Sequence, residues 1–235
     1  MAAIQGVLFD KDGTLFDFEA TWTGWAQAML GDLAGGDAGR ASDLGARIGF
    51  DYAARRFAPD STAIAGTTAD IVRLLSPGVP EMTASALEAR LNAAAAAAPQ
   101  VPTVPLGPLL AGLRARGLML GVATNDSEAP ARAHLAAAGQ EAAFDFIAGY
   151  DSGFGGKPAP GMCLGFAHAV GLAPECVAMV GDSTHDLVAG RAAGMRCVAV
   201  LTGMAEAGDL APLADVVLPD IGALPDWIIA QNEHN

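Results

Sequence analysis

From Pro102 onward the chain switches repeatedly between short apolar runs and helical segments stopped by glycine, and that rhythm admits few folds. Helices are expected over 106–116, 127–138, 161–170 and 184–193. Strands are expected over 118–124, 144–149, 177–180, 197–201 and 216–218. Gly117, Gly139 and Gly194 each follow a helix, where glycine takes up the left-handed C-terminal conformation without a Cβ penalty. Strands alternating with helices build βαβ units around a parallel sheet. One further run, Ile4–Phe9, is apolar at nearly every position, as suits a strand covered on both faces. The expected fold class is α/β, a doubly wound, Rossmann-like parallel sheet.

Between about Asp17 and Gln100 the texture changes, with alanine, leucine, methionine and arginine dominant and few β-branched runs. Helices are expected over 21–33, 40–58, 62–75 and 83–98. Thr83 is placed to start the last and Pro99 to stop it. Gly35-Gly36, Pro59-Asp60 and Ser76-Pro77-Gly78 read as turns. The organisation implied is a core of residues 1–17 and 101–235, with a helical insert of residues 18–100 after the first strand. No repeat of solenoid length is present.

A formal net charge of −13 is the wrong sign for a nucleic-acid partner, which needs a basic footprint, and for an anionic membrane surface. A small anionic substrate remains compatible, because a bound dication reverses the local field. Cys163, Cys176 and Cys197 form no CxxC pair and read as free thiols. The opening MAAIQGVLFD has neither a basic start nor a long apolar stretch, so a cytoplasmic protein, monomer or homodimer, is expected.

In doubly wound sheets ligands bind beyond the carboxyl ends of the strands. Three expected strands end there in polar clusters: Asp10-Lys11-Asp12-Gly13-Thr14, Thr124-Asn125-Asp126, and Gly181-Asp182-Ser183-Thr184-His185-Asp186, with Lys157-Pro158 between the last two. Asp10, Asp12 and Asp182 brought to one edge would repel one another. A hard cation relieves this, and oxygen-only ligands suit Mg²⁺. A phosphate approaching the same carboxylates needs that metal as well. Lys157 adds fixed positive charge, Thr124 and nearby N–H groups can hold phosphate oxygens, and the helix starting near Ser127 offers its positive end.

These four motifs, in this order and on these strand ends, resemble the phosphatase branch of the haloacid dehalogenase superfamily. The resemblance covers both ends of the core, and the insert matches only in position the helical cap of that family. It implies a phosphoric monoester hydrolase in which Asp10 attacks phosphorus to form an aspartyl-phosphate. Asp12 protonates the leaving oxygen and then activates water. Mg²⁺ is held by the Asp10 carboxylate, the Asp12 backbone carbonyl and Asp182, with Asp186 a further ligand, an orienting group or only a helix cap. Thr124 and Asn125 bind the transferring phosphoryl group, Lys157 neutralises it, and Gly13 permits close backbone approach; Asn125 also reads as a plain turn former. Asp12 separates the chain from dehalogenases, which lack it, and from membrane ATPases, which carry threonine there.

The layout is most similar to phosphoglycolate phosphatases. Its last motif is shared with β-phosphoglucomutase-like phosphomutases and with sugar and nucleotide phosphatases. For the leaving group, Thr21, Trp22, Trp25, Arg55 and Arg56 are candidates, the arginines pairing a substrate carboxylate; surface arginines and core tryptophans are the competing reading. Lys11, where an apolar residue is more usual, is expected to point away from the site, and His185 to be solvated or core-facing.

Overall fold

The computed structural model describes residues 2–233. Strand β1 (Gly6–Phe9) is followed by α1 (Phe18–Leu33), which starts three residues earlier than expected because the Asp17 side chain accepts from Ala20 N at 2.8 Å and caps it. Next comes α2 (Ala38–Arg47). The long helix expected over 40–58 ends here, since Gly49 lies at φ +70°, a left-handed conformation that no other side chain enters freely. Strands β2 (Phe50–Asp51) and β3 (Arg56–Phe57) then pair antiparallel in its place. The expected helix over 62–75 is broken into α3 (Thr62–Ala65) and α4 (Thr68–Leu75), because Thr67 and Asp70 form a reciprocal capping box that starts a new helix. Helix α5 (Ala84–Ala96) begins at Thr83 as expected.

The remaining elements are α6 (Leu106–Ala115), β4 (Met119–Ala123), α7 (Glu128–Ala137), β5 (Phe146–Ala148), α8 (Gly161–Ala169), β6 (Val177–Gly181), α9 (Thr184–Ala193), β7 (Arg196–Val200), α10 (Ala207–Leu210), β8 (Val216–Leu218) and α11 (Leu224–Glu233). Helices α10 and α11 were not expected from the sequence. Leu224 and Ile228 of α11 are buried against the sheet, spaced four apart as one helix face requires.

The six longer-range strands make one parallel sheet in the order β5-β4-β1-β6-β7-β8. β1 lies at its centre, with Phe9 opposite both Val122 and Val180. Alternate residues point to opposite faces of a strand. Val7 and Phe9 pack with Leu106, Leu110 and Leu113 of α6 and with α11, whereas Leu8 packs with Met162 and Phe166 of α8 and Ala189 of α9. Both faces are thus covered, which is why β1 is apolar throughout. The chain adds strands on one side of β1 (β4, β5) and then on the other (β6, β7, β8). This puts the reversal of strand order beside β1, where ligands bind in such sheets. The helices of residues 18–100 enclose an apolar cluster of their own, including Leu30, Leu44, Phe50, Leu75 and Leu87.

Candidate active site

The ends of β1, β4 and β6 deliver Asp10, Thr124 and Asp182 to one rim. Asp10 N donates to Val180 O at 2.8 Å, so sheet pairing itself places the first carboxylate beside the strand that carries the third. Oxygens of Asp10, Asp182 and Asp186 lie within 4.8 Å of one another, and all three residues are buried. Gly13, at φ +80°, passes so close that a Cβ there would fall 2.4 Å from Asp182 Oδ2. Thr14 Oγ1 donates to Asp182 Oδ1 at 3.2 Å.

A single ammonium pairs with two of these three carboxylates. Lys157 Nζ lies 2.5 Å from Asp10 Oδ1, 2.6 Å from Asp186 Oδ1 and 2.7 Å from the Ala123 carbonyl oxygen. Burial works against its charge, but Asp10 and Asp186 outweigh that and raise its pKa. Burial, with repulsion from Asp186 and Asp12, pushes the Asp10 carboxyl up to about 7 against the pull of Lys157. Burial and the neighbouring Asp10 and Asp186 raise Asp182 well above the usual carboxylate range. Three buried acidic groups and one base leave an excess of negative charge, and every donor is an oxygen. This donor set fits a hard divalent cation such as Mg²⁺.

Asp186 does two things at once. Its Oδ2 accepts from Ser183 N and Ser183 Oγ at 3.0 and 2.7 Å, closing the capping box that starts α9, while Oδ1 faces Lys157. Thr124 Oγ1 accepts from Asp126 N at 3.1 Å, so its hydroxyl proton remains to be donated.

Asn125 is more committed than a phosphate ligand would be. Its Nδ2 donates to Ala65 O at 2.7 Å and Lys157 O at 2.9 Å, and its Oδ1 accepts from Lys157 N at 2.7 Å. The side chain anchors the lysine backbone and ties it to the helical insert. The start of α7 is also occupied. Ser127 N donates to Asp126 Oδ1 and Glu128 N to Asp151 Oδ1, both at 2.9 Å, so these N–H groups are taken by the protein's own carboxylates and not left for phosphate.

The Lys11 side chain is fully buried and does not line the cleft, yet its ammonium lies 2.6 Å from Asp12 Oδ1 and 3.6 Å from Asp126 Oδ2, which do. Its ammonium also stands 5.3 Å from the Trp22 ring centroid. Lys11 Nζ is 3.2 Å from His134 Nδ1. An ammonium only donates, so Nδ1 accepts, and Nε2 donates to Ala95 O at 2.6 Å. Burial and the adjacent Lys11 lower the His134 pKa to about 4, which agrees with this neutral ring. Asp126 was read only as part of a strand-end cluster, and His134 was not singled out in the sequence. The available signal was Lys11 itself, a cation in a segment otherwise suited to burial.

The rim opens into a cleft whose far wall comes from the insert. Trp22 and Trp25 line it, as does His185, which is only partly buried. Thr21 does not; its hydroxyl donates to Asp17 O at 3.1 Å. Arg55 and Arg56 are exposed and outside the lining.

Buried carboxylates around a lysine at the switch point of a doubly wound sheet define a hydrolase or phosphotransferase class of site. The family model of haloacid dehalogenase-like hydrolases matches residues 4–194, and the chain belongs to that family. It is 34% identical over 120 residues to a phosphoglycolate phosphatase of Rhodospirillum rubrum, covering 51% of this chain and 50% of that one. It is 29% identical over 205 residues to one of Xylella fastidiosa, covering 84% and 80%. The chain spans about half the length of several curated relatives that it matches, the Rhodospirillum protein among them. A crystallised protein of Haemophilus somnus, predicted to be a phosphoglycolate phosphatase, shares the fold with a TM-score of 0.74 at 20% identity, covering 97% of this chain and 99% of that one. Among the described residues no helix is long and apolar enough to cross a membrane.

Proposed function

We propose that the chain is a Mg²⁺-dependent phosphatase that hydrolyses a small-molecule phosphate monoester through an aspartyl-phosphate on Asp10. The observation that carries this reading is the group of Asp10, Asp182 and Asp186 around Lys157 at the centre of the sheet edge. Asp10 attacks phosphorus and the ester P–O bond breaks, the leaving oxygen taking a proton from Asp12. Asp12 then accepts a proton from water as that water attacks the same phosphorus. Inorganic phosphate leaves and Asp10 is restored. Lys157 and the Thr124 hydroxyl hold the phosphoryl oxygens. Mg²⁺, held by Asp10, Asp182, Asp186 and the Asp12 backbone carbonyl, supplies the positive charge that lets an anionic ester approach an anionic nucleophile.

Residues 18–100 act in this reading as a cap over a core of residues 1–17 and 101–235. Asn125 to Ala65, His134 to Ala95, Ser127 Oγ to Asn92 Oδ1 (3.0 Å) and Tyr150 OH to Glu88 are among the hydrogen bonds that seat it and exclude water from the rim. The substrate named for several relatives, phosphoglycolate, is the first ester to assay, and the setting is a cytoplasmic enzyme without nucleic-acid or membrane partners.

Rapid acid quenching during turnover with Mg²⁺, followed by peptide mass spectrometry, is expected to find a phosphate adduct on the peptide containing Asp10. An adduct on another residue, or steady release of phosphate with none trapped on Asp10, counts against the mechanism. A thermal melt tests the metal. Mg²⁺ at about a hundred times its dissociation constant should stabilise the fold by ~2.7 kcal/mol. That raises the melting temperature by roughly 5–10 °C for a chain of this size. Asp182→Asn should remove most of the shift, and an equal shift in that variant would place the ion elsewhere.

A further inference from the structure

Resting on the phosphatase reading, we propose that the leaving group of the substrate is uncharged, with an apolar, ring-sized body, and carries no carboxylate. The wall facing the catalytic rim is apolar across five elements, with Phe18 and Trp22 on α1, Phe57 on β3, Ile64 on α3, Ile71 on α4 and Leu91 on α5. Its polar side chains are few. Thr68 is one, and Asn92 is another, already bonded to Ser127.

Charge in the cleft belongs to the core side. Asp10, Asp12, Asp126, Asp182 and Asp186 line it together with Lys157 and His185. Lys157 is held by Asp10 and Asp186. His185 sits in the first turn of α9 next to Asp186, at the phosphate end. Lys11 is paired with Asp12 and Asp126. The insert sends no lysine or arginine to the lining, and Arg90, the cation of α5, is paired with Asp32 on its exposed side. A second anionic group on the substrate, beyond the phosphate, would be desolvated against rings and aliphatic side chains while facing aspartates. An apolar ring in the same place gains burial.

The wall is not simply the inside of the insert's core. Trp22, Trp25 and Ile64 pack at the edge of that core and remain partly exposed. The indole N–H groups of Trp22 and Trp25 are buried and have no acceptor among the described residues.

Benzyl phosphate, phosphoglycolate and glucose 6-phosphate are all primary alkyl esters, so differences among them report recognition more than leaving-group ability. With Mg²⁺, kcat/KM for benzyl phosphate is expected to exceed that for phosphoglycolate by about 10–200-fold, the discrimination that apolar contacts support. Trp22→Ala should raise KM for benzyl phosphate about tenfold or more and change phosphoglycolate little. Ile64→Arg should shift the ratio toward phosphoglycolate. Phosphoglycolate or glucose 6-phosphate hydrolysed as well as benzyl phosphate overturns the leaving-group inference alone, as does a Trp22→Ala variant that slows all three equally. Absence of turnover with every ester removes the phosphatase reading along with it.

Discussion

Asp10→Asn is expected to leave a folded, metal-binding protein whose phosphatase turnover has fallen on the order of 10⁴-fold or more, the scale seen when a covalent nucleophile is removed. The neutral amide is nearly the same size as the carboxylate but cannot form the acyl phosphate. Lys157 keeps Asp186 and the Ala123 carbonyl as partners, so its buried charge is not stranded. The variant also removes a carboxylate that burial and its acidic neighbours push up to about 7. A group whose folded pKa lies above its unfolded value of 3.8 loses stabilising influence as pH rises through that interval. At pH 8 without metal the variant should therefore melt no lower than the wild type, and the advantage should shrink toward pH 5. Phosphate release near the wild-type rate would remove Asp10 from its role. A fall in melting temperature at pH 8 would contradict the account of a self-repelling cluster.

The parts of the molecule legible in the sequence are those where one local signal dominates. Short apolar runs bounded by turn residues, such as Val177–Val180, favour a buried strand over a helix, and a strand end followed by Asp or Thr at a turn favours the rim of the sheet. Asp10, Thr124, Lys157, Asp182 and Asp186 do meet there. The insert was harder. Its alanine-rich composition favours helix at almost every position, and what broke the helices was a left-handed Gly49 and the Thr67–Asp70 capping box, each a short signal inside a long favourable stretch. Arg55 and Arg56 show the same limit from the functional side. A pair of cations looks like an anion receptor in sequence, but whether it reaches a cleft depends on where a turn and a two-residue strand place it, and here both arginines are exposed. Asn125 was legible in position and not in its bonds, because its three partners come from residues 65 and 157.

Lys11 lies outside the cleft lining, but its pairing with Asp12 and Asp126 was not legible in the sequence, and it carries the second large effect. Lys11→Met fills similar volume with an unbranched apolar chain but strands Asp12 and Asp126, whose nearest cation is removed. Breaking a buried pair from one side costs about 3–5 kcal/mol. The loss should depend on pH in a definite direction. Burial already raises the Asp126 carboxyl to about 6 despite Lys11, and without the ammonium it rises further. A carboxyl raised in the folded state from 3.8 is no handicap while protonated in both states, and the handicap grows as pH climbs through the folded value. Urea denaturation of Lys11→Met should thus show the full deficit at pH 8 and a smaller one at pH 5, where Asp126 takes up a proton in place of its partner. The same change frees His134 and Trp22 from the ammonium, loosening the link through Ala95 to α5, so KM should rise as well as kcat fall. A deficit under about 1 kcal/mol at pH 8, the range of an exposed pair, would mean that the Lys11 ammonium is solvated and that the Asp12 carboxylate is positioned by something else.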